Sequence, residues 1–144
     1  MVGIVIVAHT PLASAMLSFA EHTFGVLPEG MRAVDIPPYE DIKASFDRVM
    51  KAAYGVNTGN GVLILTDVMG ATPANVASKL EALGPLSGLN SPVIVLAGLN
   101  LPMLMRCISH RGEALEELAS KALQGGQNGI LRLGSKSHQE ATEK

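Results

Sequence analysis

Gly3-Ile4-Val5-Ile6-Val7-Ala8-His9-Thr10-Pro11 decides the fold. An unbroken apolar run from Gly3 to Ala8, mostly β-branched, predicts a strand buried on both faces, because a strand with one wet face would alternate apolar and polar residues. Such strands belong to parallel sheets covered by helices on either side. After His9 and Thr10-Pro11 the pattern changes period: Leu12, Met16, Leu17, Phe19 and Ala20 recur at near-helical spacing, and Gly25 follows as a stop.

The same alternation continues outward from this unit. Residues 33–36 read as a weaker strand closed by Pro37-Pro38. Residues 39–54 are amphipathic, with Ile42, Phe46, Val49, Met50 and Ala53 on one stripe and Asp41, Lys43, Asp47, Arg48 and Lys51 largely opposite. Residues 61–66 form a second continuous strand run, 73–83 a helix ended by Gly84-Pro85, and 92–97 a fourth strand. A helix is predicted over 111–123, and a short final strand over 129–133 after the flexible Gly125-Gly126 pair. The expected architecture is a small doubly wound, mostly parallel α/β sheet with helices on both faces. The last strand, antiparallel at an edge, would join its own sheet or be exchanged in a dimer. Residues 1–134 are read as one domain and 135–144 as a polar tail.

Composition narrows the function classes. The 144 residues are 47% hydrophobic but only 3% aromatic, so the core is aliphatic and large enough to fold without disulfide or metal. Cys107 is the only cysteine, which suits a reducing compartment and reads as a small buried apolar residue. A net charge of −2 with no Trp argues against a nucleic-acid partner. The apolar run 93–99 is far too short to span a bilayer, and strand-like residues follow Met1 with no charged leader, so a cytoplasmic location is expected without membrane insertion.

In doubly wound sheets chemistry gathers at the carboxyl ends of the strands, where strand order reverses. Two strand ends stand out: Ala8-His9-Thr10-Pro11, and Thr66-Asp67-Val68-Met69-Gly70-Ala71-Thr72-Pro73. Each ends in Thr-Pro, with Thr expected as N-cap and Pro at the first helical position. If the two strands are neighbours, about 4.8 Å apart, His9 and Asp67 can touch. A carboxylate on one imidazole nitrogen would fix the tautomer and leave the other as a nucleophile. Helix N-terminal amides would receive a phosphoryl group there, with Thr10, Gly70, Ala71 and Thr72 lining its position. Taken singly, His9 and Asp67 read more readily as turn or cap residues, and as a pair at adjacent strand ends they favour function without by themselves selecting phosphoryl transfer. His22, His110 and His138 have no metal-ligand spacing. Met103, Leu104 and Met105 read as packing residues at a helix start or in a loop.

At these residues the sequence resembles the mannose-type IIA components of the bacterial sugar phosphotransferase system. Residues 2–9 resemble the family's opening strand, which ends in the phosphorylated histidine. Residues 66–75 resemble its Asp-x-x-Gly-Gly-[Ser/Thr]-Pro-x-Asn segment, with Ala71 replacing the second Gly. Ala97-Gly98-Leu99-Asn100-Leu101-Pro102-Met103-Leu104 resembles its Gly-x-Asn-Leu-Pro-Met-Leu segment. The resemblance implies a phosphohistidine at His9 oriented by Asp67, no cofactor or metal, HPr as donor and a separate IIB protein as acceptor. It also implies a homodimer, and a role in sugar transport or in regulation by phosphorylation state. A receiver-like signalling domain with Asp67 as acceptor stands as the alternative, although His9 occupies the place where such a domain keeps Mg²⁺-binding carboxylates. A non-catalytic interaction module of the same fold is a further alternative.

Overall fold

The computed structural model describes residues 1–25 and 29–134. Strands β1 (Gly3–His9), β2 (Met31–Ile36), β3 (Val62–Thr66) and β4 (Val93–Leu96) alternate with helices α1 (Leu12–Phe24), α2 (Ile42–Val56) and α3 (Thr72–Leu83), and α4 (Leu101–Ser109) and α5 (Leu115–Asn128) follow. The four strands form one parallel sheet in the order β2-β1-β3-β4. Strand order therefore reverses between β1 and β3, the switch point at which doubly wound folds place their sites.

The run 3–8 is buried on both faces, as its unbroken apolar pattern requires. Ile4, Val5, Ile6, Val7 and Ala8 are fully buried. Even positions of β1 pack with α1, α4 and α5 on one face, where Ile4, Ile6 and Ala8 meet Ala13, Met16, Leu104 and Leu118. Odd positions pack with α2 and α3 on the other, where Val5 and Val7 meet Val49, Ala53, Val76 and Leu80. Each such side chain contributes about 1.5–3 kcal/mol on burial, so β1 is a rigid mount for what stands at its end.

The structure corrects the sequence reading in its last third. Residues 101–109 form a helix that the sequence reading took as packing residues at a helix start or in a loop; Met103 and Leu104 are buried in it, and Met105 is exposed. The predicted helix over 111–123 begins later and ends later, at Leu115–Asn128. Gly125-Gly126 is no linker: both glycines lie buried inside α5, against Arg106 and Met103 of α4. Residues 129–133 pair with no strand among the described residues, and Ile130, Leu131 and Leu133 are exposed. The Gly125-Gly126 pair reads as a break in sequence, but its lack of side chains lets α5 approach α4 closely and continue to Asn128. The predicted tail at 135–144 lies outside the described residues, as does His138.

Candidate active site

The parallel register sets Ile6 beside Leu65 and Val7 beside Thr66, so Ala8 is level with Asp67 and His9 stands one residue above it. The His9 backbone N–H donates to Asp67 Oδ2 at 3.0 Å. The ring Nδ1 lies 2.7 Å from the same oxygen. Asp67 Oδ1 accepts from the Val68 N–H at 2.9 Å. Both carboxylate oxygens are thus engaged, and the imidazole is held at backbone and ring together. With Nδ1–H facing a carboxylate, Nε2 is left as the nitrogen with a free lone pair. The His9 side chain is 53% exposed and that of Asp67 only 8%.

That burial is the largest single influence on the Asp67 carboxyl and raises its pKa. The hydrogen bonds from the His9 amide and ring and from the Val68 amide act the other way, and their sum holds it below the ordinary 3.8. Asp67 is a fixed anion against the ring. The carbonyl of Asp67 is also held: Gly98 N–H donates to it at 3.0 Å, and Leu99 N–H donates to Thr66 O at 3.0 Å.

The two Thr-Pro pairs do not cap their helices as the sequence suggested. Pro11, not Thr10, is the N-cap of α1, and the Thr10 amide is spent on Ile36 O at 3.2 Å. Ala71, not Thr72, is the N-cap of α3, which places Thr72-Pro73 inside its first turn. The α1 N-terminus already has an anion, since Asp35 Oδ1 at the end of β2 accepts from the Ser14 N–H at 3.1 Å. Nothing in the run 33–36 announced that cap. Gly70 has φ +87° at an open position, the left-handed conformation that glycine adopts without strain, and its carbonyl accepts from Asn75 Nδ2 at 3.4 Å. The neighbouring Val68 and Met69 are exposed. The structure therefore joins His9 to Asp67, whereas Gly70, Ala71 and Thr72 lie along Asp67's loop with no hydrogen bond to either.

Other histidines make different contacts. His22 Nδ1 meets its own helix at Ser18 O, 2.8 Å away. His110 Nδ1 lies 2.7 Å from Glu113 Oε2, but Glu113 also accepts from Lys121 at 2.6 Å, and the Lys121 hydrogen bond is the largest influence holding its carboxyl below the usual range. Cys107 is buried, and desolvation pushes its thiol up to about 12, which makes it inert.

A family model described as the PTS system fructose IIA component matches residues 3–123. The chain is 28% identical over 142 residues to the mannose-specific EIIAB component of Escherichia coli K12, covering 97% of this chain and 42% of that protein, so it spans about two fifths of the relative's length. The crystal structure of phosphotransferase system component EIIA from Streptococcus agalactiae matches with a TM-score of 0.79 and 28% identity, over 92% of this chain and 97% of that one. The mannose/sorbose-specific IIA subunit from Enterococcus faecalis has a TM-score of 0.77 at 21% identity, over 93% and 96%, and supports the fold.

Proposed function

The chain belongs to the mannose/fructose family of phosphotransferase-system IIA components, and from that premise we propose that His9 Nε2 takes a phosphoryl group from the phosphocarrier HPr and passes it to a IIB protein. The observation that carries this reading is the 2.7 Å contact between Nδ1 of a half-exposed His9 and a nearly buried Asp67. The Nε2 lone pair attacks phosphorus, the bond from phosphorus to the donor's histidine nitrogen breaks, and its electron pair stays on the donor ring. The Nδ1 proton remains on His9, so the ring gains a positive charge as it gains phosphate. Asp67 faces that charge at hydrogen-bond distance, an electrostatic stabilisation set up before reaction. The IIB acceptor reverses the step with its own nucleophile.

Phosphoryl contacts come from the longer loop. Met69 and Gly70 amides have no acceptor among the described residues, Gly70 keeps the approach clear, and Ala71 and Thr72 open α3. Incubation with enzyme I, HPr and phosphoenolpyruvate should load close to one phosphoryl group per chain, stable in alkali and labile in acid. A chain left unlabelled under conditions that phosphorylate HPr would overturn the reading.

In this reading the protein works in the cytoplasm, and no helix among the described residues is long and apolar enough to cross a membrane. Its phosphorylation serves sugar transport or signals to other proteins. It works as a homodimer, with residues 129–133 crossing to the edge of the partner's sheet. The supporting features are the exposed Ile130, Leu131 and Leu133 and the half-buried edge strand β4. Sedimentation as a monomer at micromolar concentration would rule the exchange out.

A further inference from the structure

One side chain between helices α4 and α5 leads back to the His9–Asp67 pair. Asn100 is the N-cap of α4, where its Oδ1 accepts from the Met103 N–H at 2.9 Å. Its Nδ2 donates at 3.0 Å to Gly126 O in the last turn of α5. The final carbonyls of a helix lack intrahelical donors. In α5, Gly125 O is served by the Gly129 N–H and Gln127 O by the Ile130 N–H, which leaves Gly126 O to Asn100. One amide therefore caps the start of one helix and the end of another. Only one orientation of that amide satisfies both bonds.

This requires a neutral residue with one acceptor and one donor at the same reach. Asp keeps the acceptor but sets a carboxylate against a carbonyl at the negative end of a helix. Ser keeps a short cap and cannot reach Gly126. The contact is possible because α5 approaches closely: a Cβ on Gly126 would lie 3.0 Å from the Met103 side chain, and one on Gly125 2.9 Å from that of Arg106.

The two residues before Asn100 hold the site loop. Gly98 N–H donates to the Asp67 carbonyl and Leu99 N–H to the Thr66 carbonyl, each at 3.0 Å. Asp67 in turn holds the His9 amide and ring. We infer that Asn100 is a positioning residue for the phosphoryl-transfer site: by locking the β4–α4 turn to α5, it fixes the height at which Asp67 meets the imidazole. The inference rests on the reading of His9 and Asp67 as the transfer pair, but its geometric part is measured without any phosphodonor.

The test uses the full chain with Asn100→Ala, Asn100→Asp and Asn100→Ser. Nitrogen NMR of the unphosphorylated protein reads the His9 tautomer and its hydrogen-bonded Nδ1–H, and transfer from phosphorylated HPr is followed as kcat and KM. A mutation away from the chemistry that misplaces a reactive group by about 1 Å can cost about 100-fold, and a smaller displacement costs less. Asn100→Ala should therefore lower kcat by about tenfold with little change in KM and should broaden or shift the Nδ1–H signal. Asn100→Asp should do at least as much, and Asn100→Ser, which keeps the α4 cap and so protects folding, should fall between Ala and wild type. Wild-type His9 signals and kcat in folded Asn100→Ser and Asn100→Ala would overturn the inference. A shifted His9 signal in a chain that no phosphodonor labels would uphold the positioning while refuting the transfer reading.

Discussion

The turn after β1 and the loop after β3 each meet a Thr-Pro pair and are built differently: Thr10-Pro11 is the first turn itself, whereas Thr72-Pro73 already belongs to α3. The first takes two residues, Thr10 and Pro11, to pass from strand to helix, and the second takes five, from Asp67 to Ala71. The short turn fixes His9: it closes a strand buried on both faces, the Thr10 amide is bound by β2, and the α1 N-terminus is occupied by Asp35. The long loop surrounds it with a nearly buried carboxylate, a glycine at positive φ and, at Met69 and Gly70, amides without acceptors among the described residues. Placing both at a reversal of strand order lets a rigid element meet an open one. The lesson is that a repeated dipeptide shows where helices begin and not what the turn before them does.

Substitutions can break that division of labour. Asp67→Asn removes the anion and lets the amide donate to Nδ1, favouring the wrong tautomer. The chain should fold, and transfer to His9 should slow by about a hundredfold or more, read by the rate of labelling from phosphorylated HPr. An unchanged rate would reduce Asp67 to a turn residue and the comparison to one of shape.

Asp35→Ala acts on the short turn. Loss of a helix-terminal acceptor costs about 1 kcal/mol, so chemical denaturation should show a destabilised chain whose labelling rate changes less than threefold. A loss of rate as large as that of Asp67→Asn would place the α1 N-terminus in the transfer site.

Acidification should give the smallest effect. The folded-state pKa of Asp67 is depressed below 3.8, so its contribution to stability is complete above the unfolded value and is lost as pH falls through the folded one. The stability difference between wild type and Asp67→Asn should therefore be largest near neutral pH and shrink below about pH 4. A difference that grows on acidification would mean that the hydrogen bonds do not hold the carboxylate charged.

What was legible followed from local rules. The period change at His9 located β1 and α1, and continuous apolar runs at 61–66 and 92–97 located two more buried strands, because burial on both faces leaves no alternation to misread. The His9–Asp67 contact was legible once the two strands were taken as neighbours. Asp35 was not, because its role depends on β2 ending level with Ser14, a tertiary fact. The α4–α5 region was misread for a related reason: Gly125-Gly126 carries a turn signature, and only the facing surface of α4 turns it into a packing surface. Asn100 ahead of Leu101-Pro102 did carry a helix-start signal, a capping residue followed by Pro in the first turn.

If Asp67 keeps the proton on Nδ1, Nε2 carries the phosphoryl group. Phosphorus-coupled nitrogen NMR of the phosphorylated, histidine-labelled protein tests it most directly, with His9→Ala identifying the signal. The proposed transfer requires one phosphohistidine, at His9, with phosphorus on Nε2 and a hydrogen-bonded proton on Nδ1, and no label in His9→Ala. Phosphorus on Nδ1, or a label that survives in His9→Ala, would contradict it.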